Sequence, residues 1–92
     1  MKSYEIALTN RAERIWKKLD ERTKERIRDG LRRLVDYYNG KAEHLPDVKQ
    51  LKGKYKGLFR LRVGDYRVIF DVIEERLIIL IIEIVPRKNA YR

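Results

Sequence analysis

The chain has 92 residues, enough for one domain, spanning 1–92, with a single modest core and too few for two. Apolar residues make up 43% and charged residues 40%, and a formal net charge of +9 with a pI near 10.0 points to a polyanionic partner: nucleic acid, an anionic membrane surface or an acidic protein. Cysteine is absent, which excludes disulfides and thiolate metal sites and suits an intracellular, cytoplasmic chain. The opening MKSYEIALTNRAERIWKKLD holds no apolar run of signal-peptide length. The most apolar run, LIILIIEIV (77–85), is far below the roughly 20 residues that span a bilayer. It reads as a buried strand, and no membrane is expected.

Residues 2–8 alternate, with Tyr4, Ile6 and Leu8 on one side, and predict a short strand. Asn10 and Glu13 have the spacing of a capping box, followed by Ala12, Ile15, Trp16 and Leu19 at helical intervals. Trp16 lies on that apolar stripe and is expected in the core. A second helix is predicted from about Asp20, with Ile27, Leu31, Leu34, Val35 and Tyr38 along one face. Gly30 interrupts it at a cost of roughly 1 kcal/mol against Ala, and Gly40 suits the position just past its end. Residues 41–53 have no period and read as a loop. From residue 55 the pattern is that of strands: FRLRV, a turn at VGD, YRVIFDVI, a turn at EER and LIILIIEIV, which Pro86 ends. Short turns imply antiparallel neighbours. The expected class is α+β, in the order β-α-α-β-β-β, with an antiparallel sheet packed against a two-helix hairpin.

The excess charge is segregated. Residues 49–70 hold Lys49, Lys52, Lys54, Lys56, Arg60, Arg62 and Arg67 against Asp65 alone, and residues 87–92 hold Arg87, Lys88 and Arg92 with no acid. These two segments contribute +6 and +3, the whole of the net charge; the remainder of the chain is balanced, as expected of solvated helix faces. Tyr55, Tyr66 and Tyr91 are interleaved with the cations and have the chemistry to stack on bases. The plain alternative for Arg60 and Arg67 is an ion pair with an acid such as Asp71 or Glu83, and for Tyr91 simple packing.

No familiar catalytic constellation is present. His44 is the only histidine, no carboxylates have metal-ligand spacing, and there is no glycine loop for a phosphate or nucleophile elbow, so neither a metal nor a cofactor is expected. Arginine, lysine and tyrosine suffice for one class of reaction. RNA carries its own nucleophile, the 2′-OH, which needs only alignment and stabilisation of the charge that builds on the phosphorane. Arginine offers a planar, bidentate donor set for phosphate oxygens, and a tyrosine or lysine can move protons.

The series LKGKYKGLFRLRVGDYRVIFDVIEERLIILIIEIVPRKNAY resembles the second half of RelE-type toxins of the RelE/ParE toxin–antitoxin superfamily, and AERIWKKLDERTKERI is similar to the helical first half. The most specific part is the L-x-G … F-R-x-R-x-G-D-Y-R-V-I-F strand pair, followed by a last strand with a terminal Arg and a nearby Tyr. The resemblance implies a toxin that enters the ribosomal A site and cuts mRNA there by 2′-OH attack. It also implies a RelB-type antitoxin that wraps the toxin, in a toxin–antitoxin heterotetramer. Carried over by position, Arg67 falls on the arginine that contacts the scissile phosphate and Arg87 on the arginine near the end of the last strand. Arg60 falls on a basic strand position, and Tyr91 on a C-terminal tyrosine that stacks on a base or shuttles protons. These four are the catalytic candidates; Lys52, Lys54, Lys56, Arg62 and Lys88 are the RNA-binding candidates. Leu58 stands where some members carry a further lysine, and the interval from Arg87 to Tyr91 is shorter than in members with an extra C-terminal helix. The alternative within the same superfamily is a ParE-like inhibitor of DNA gyrase without nuclease activity.

Overall fold

The computed structural model describes residues 3–44 and 46–86. Its elements are β1 (Glu5–Leu8), α1 (Asn10–Lys18), α2 (Glu21–Tyr38), β2 (Val48–Gln50), a 3-10 turn at Gly53–Tyr55, β3 (Phe59–Val63), β4 (Tyr66–Ile73), a second 3-10 turn at Glu74–Arg76 and β5 (Ile78–Pro86). The strands form one sheet in the order β1-β5-β4-β3-β2, with both helices packed on one face. This is the α+β class expected, with two differences in detail. β1 pairs with β5 in parallel, Glu5 opposite Ile78 through Leu8 opposite Ile81, so the sheet is mixed; the other three pairings are antiparallel. A strand separated from its neighbour by two helices is free to run either way, and its own residues do not state which. The segment read as a loop also contains β2, whose three residues are too few to show an alternation; Val48 pairs with Leu61 on the edge of β3. No helix among the described residues is long and apolar enough to cross a membrane.

Thr9, not Asn10, caps α1. Its hydroxyl accepts from the Ala12 N–H at 3.1 Å and donates to the Ile82 carbonyl at 2.9 Å, while its own N–H donates to the Ile81 carbonyl at 3.0 Å. One residue thus closes the β1–β5 pairing and starts the helix, a dual use that a capping-box spacing alone does not reveal. Asp20 caps α2, which begins where expected. Hydrogen bonding from Thr23, chiefly its side chain and then its N–H, outweighs slight desolvation and holds the Asp20 carboxyl below its ordinary range. At the far end of α2, Gly40 takes a φ of 77° just past the Asn39 cap, and the Asn39 side chain accepts from the Tyr4 N–H at 2.8 Å.

The core lies between the helices and the inner face of the sheet. Ala12, Ile27 and Leu34 come from the helices, and Leu61, Val68, Phe70, Ile79, Ile81 and Ile84 from the strands, all essentially without exposure. Trp16 is half-buried against this cluster, and its ring is also approached by the Arg28 guanidinium at 5.3 Å and the Lys24 ammonium at 6.0 Å. The strand buried without interruption is β4 over Arg67–Phe70, rather than the more apolar β5. β4 sits at the centre of the sheet, whereas β5 alternates between buried and half-buried positions.

Gly30 has a packing reason. A Cβ there would come within 2.9 Å of Val63 Cγ2 and 3.5 Å of Leu61 Cδ2, so the bare backbone lets α2 lie close on β3. Val63 is β-branched and cannot swing away. Gly30→Ala is therefore expected to destabilise by about 1–3 kcal/mol from overpacking, which exceeds the gain of about 1 kcal/mol in helix propensity. Chemical denaturation of Gly30→Ala alone and combined with Val63→Ala checks this: the second substitution should recover part of the loss.

Candidate nucleic-acid interface

The face of the sheet opposite the helices carries the basic residues, and the register gives their arrangement. Because Leu61 and Val68 point into the core, their neighbours point the other way. Lys49, Arg60, Ile69 and Glu83 form one row across β2, β3, β4 and β5, and Arg62, Arg67 and Val85 form the next. Two of these cross-strand pairs, Lys49 opposite Arg60 and Arg62 opposite Arg67, join like charges directly across the ladder. Such pairs are destabilising in themselves, and a bound anion between them would relieve the repulsion.

The hairpin that creates this arrangement is local in origin. Gly64, at φ 56°, supplies the left-handed first position of the two-residue turn Gly64–Asp65, which fixes the register from Val63 opposite Tyr66 onward. Alternating apolar residues then commit Phe59, Leu61 and Val63 to the core side, and the arginines fall on the other by parity.

The three arginines differ in exposure. Arg62 is exposed, the Arg60 side chain is only 11% exposed, and Arg67 is the one buried charged residue among those described, at 5%. Arg60 is held by Asp47, Nη1 to Oδ1 at 3.4 Å, and not by Asp71 or Glu83 as the simple alternative had it. Asp47 reaches it because β2 is a strand, with the Arg62 N–H donating to the Asp47 carbonyl at 2.9 Å. Arg67 is thus a constructed feature of the interior of the basic face, and Arg62 is the hairpin guanidinium most open to an incoming phosphate.

Lys52, Lys54 and Lys56 are exposed around the Gly53–Tyr55 turn, and the Lys54 ammonium lies 5.1 Å from the Tyr55 ring. Tyr55 crosses the basic face to donate its hydroxyl to Glu83 Oε2 at 3.2 Å, while Arg11 from α1 binds Glu83 Oε1 at 3.0 Å. Of the tyrosines considered for stacking, Tyr66 is half-buried against the core and is not presented to a base. Arg87, Lys88 and Tyr91 lie outside the described residues; Pro86, which precedes them, pairs with Tyr66. His44 is exposed, in a concavity that it lines together with Asp36, Asp47 and Arg62. A separate apolar concavity of about 850 Å³, lined by Tyr4, Ile6, Leu8, Trp16, Leu31 and Val35, lies on the helix side and shares no residue with the basic face.

The charge pattern puts Lys49 in the basic segment and offers Glu83 only as a partner for Arg60 or Arg67; it gives no place on this face to Asp47 or Arg11. The signal for Lys49 and Asp47 was a strand too short to register, and for Glu83 a break in the alternation of β5. Arg11 had no local signal.

A mixed five-stranded sheet with two helices on one face is the fold this chain shares with small toxins of type II toxin–antitoxin systems. The family model described as the ParE toxin of the type II toxin–antitoxin system parDE matches residues 6–91, and the chain belongs to that family, within the RelE/ParE superfamily. Among individual proteins, it is 27% identical over 89 residues to a RelE-like toxin protein of Escherichia coli, covering 95% of this chain and 86% of that one. Among solved structures, the archaeal RelE–RelB complex from Pyrococcus horikoshii aligns with a TM-score of 0.71 and 26% identity over 97% of this chain and 100% of the other. The toxin–antitoxin complex RelBE2 from Mycobacterium tuberculosis gives 0.67 and 25% over 97% of both chains. The isolated E. coli RelE toxin gives 0.71 at 19% identity, over 97% of this chain and 89% of that one, a likeness of fold.

Proposed function

We propose that this toxin is a ribosome-dependent mRNA endonuclease that acts as one domain in the cytoplasm and cleaves codons in the A site. The observation that carries the reading is the two pairs of like-charge neighbours, Lys49–Arg60 and Arg62–Arg67, on the sheet face opposite the two described helices. A face that sets four cations side by side is preorganised for a phosphate chain. In the reaction, Arg60 and Arg67 hold and neutralise the scissile phosphate while the 2′-OH of the preceding nucleotide attacks in line, leaving a cyclic phosphate and a free 5′-OH. Arg62 and the lysines of the 52–56 turn bind flanking phosphates. Arg87, Lys88 and Tyr91 retain the roles implied by the resemblance, Tyr91 stacking on a base or moving a proton. The partner in this reading is a RelB-type antitoxin, the kind of protein found with the toxin in the complexes from P. horikoshii and M. tuberculosis; it neutralises the toxin, and the pair assembles as a heterotetramer.

The ParE description of the matching family favours a second reading, inhibition of DNA gyrase. The two separate in parallel assays of the purified toxin. Endonuclease activity yields new mRNA 5′ ends inside codons during reconstituted translation, with supercoiling by gyrase unaffected. Intact mRNA together with blocked supercoiling would replace the first reading with the second.

A further inference from the structure

Glu83 is an acid set into the basic face, and the strand is irregular at the point that puts it there. Ile79 and Ile81 point into the core, so unbroken alternation would send residue 83 inward as well. The register instead moves from Phe70 opposite Ile81 to Ile69 opposite Glu83, leaving Ile82 as the extra residue of a bulge. The bulge restores Ile84 to the core and turns Glu83 onto the open face, in the row of Lys49 and Arg60. A carboxylate there lowers the attraction of the face for any polyanion, so electrostatics alone argues against it.

Its contacts give a reason. Glu83 takes the Tyr55 hydroxyl on one oxygen and Arg11 on the other, and its side chain is only 15% exposed. Among the described residues, the loop that carries Tyr55 is closed at its neck by the Leu51 N–H donating to the Leu58 carbonyl at 2.9 Å, and the turn itself has few other ties. Gly53–Tyr55 has no buried residue and no side-chain cap. Among the described residues its remaining hydrogen bonds, Lys56 N–H to the Gly53 carbonyl and Leu58 N–H to the Tyr55 carbonyl, close the loop on itself. The Tyr55–Glu83 bond spans 28 positions of sequence and ties this lysine turn to the far side of the sheet.

We propose that Glu83 is a positioning residue: through the Tyr55 hydroxyl it holds the turn bearing Lys52, Lys54 and Lys56 across the open face, so that these lysines and the hairpin arginines form one surface for single-stranded RNA. The RNA part rests on the function proposed above. The consequence runs against simple charge: removing this acid weakens binding of a polyanion. A turn released from Glu83 must be ordered again when RNA binds, and that ordering offsets the charge gained.

The test uses Glu83→Ala, Glu83→Gln and Tyr55→Phe. It reads hydrogen exchange at the Lys56 and Leu58 amides, and the affinity for a short fluorescein-labelled single-stranded oligoribonucleotide across a salt series. Glu83→Ala and Tyr55→Phe should speed exchange about tenfold, the equivalent of losing one hydrogen bond to a charged group, and should weaken RNA binding. For Tyr55→Phe, which changes no charge, the slope of affinity against salt should stay the same, because no phosphate contact is removed. Glu83→Gln retains an acceptor for the Tyr55 hydroxyl and should keep slow exchange and bind RNA at least as tightly as the parent. Unchanged exchange, or tighter RNA binding by Glu83→Ala, would overturn the proposal and leave Glu83 a merely opposing charge. If the parent protein binds no free RNA, the single surface for RNA proposed here falls while cleavage on the ribosome is decided by its own assay, and the exchange rates still decide whether Glu83 holds the turn. If Glu83→Ala does not fold, Tyr55→Phe carries the same comparison.

Discussion

Arg67→Ala is expected to reduce mRNA cleavage on the ribosome by at least about 100-fold, the scale on which removal of one preorganised charge-stabilising donor acts. Arg67 lies at the centre of the open face, opposite Arg62 on one side and Val85 on the other, and is 5% exposed. At that exposure the groups covering the guanidinium have to give way before a phosphate reaches it; the proposed role requires that once uncovered it already has its orientation, unlike a flexible surface cation. Arg67→Lys should recover little, because an ammonium lacks the planar fork that engages two phosphate oxygens at once. Arg62→Ala, at an exposed position on the same row, should instead weaken RNA association and flatten its salt dependence while cleavage of bound mRNA stays near the parental rate. Single-turnover cleavage with mapped 5′ ends separates these effects, and a cooperative thermal transition for Arg67→Lys controls for folding. Parental activity in Arg67→Ala would remove this residue from the chemistry.

Phe70→Ala is expected to cost about 3–5 kcal/mol, a large share of the roughly 5–15 kcal/mol that stabilises a domain of this size. Phe70 has no exposure, pairs with Ile81 on β5 and Phe59 on β3, and stacks on the Phe59 ring at 5.6 Å and 24°. It therefore joins three strands beneath the helices, directly behind the basic face. Truncation opens a cavity that rigid sheet neighbours cannot close. Urea unfolding should show a lower midpoint with the slope unchanged, and the melting temperature should fall by at least about 12 °C. A loss below about 1 kcal/mol would mean that the core is not organised around this residue.

The extent to which the chain declares its own structure depends on the range of the interactions concerned. The β3–β4 hairpin was legible because its cause is local: Gly64 in the turn and strict alternation through Phe59, Leu61 and Val63. The stripe of α2 was legible for the same reason, from Ile27 to Tyr38 at helical spacing. The parallel pairing of β1 was not, since it depends on where two helices return the chain. The Thr9 cap escaped notice because its hydroxyl answers to Ile82, 73 positions away. Gly30 looked like a weakness in the helix, and only the approach of Val63 shows why a side chain is excluded. At the candidate site, Arg60, Arg62 and Arg67 follow from the hairpin's parity. The network that shapes their surroundings, Asp47 on Arg60 and Tyr55 and Arg11 on Glu83, spans elements distant in sequence, and charge patterning has no means of pairing them.

In the function proposed, the paired cations of the sheet face opposite the helices serve cleavage by the substrate's own 2′-OH. That role is tested most directly with an mRNA carrying a single 2′-deoxy nucleotide immediately before the scissile phosphate of the A-site codon. The toxin should leave this message intact at that codon while cutting the all-ribose message there. Cleavage of both at equal rates would contradict it.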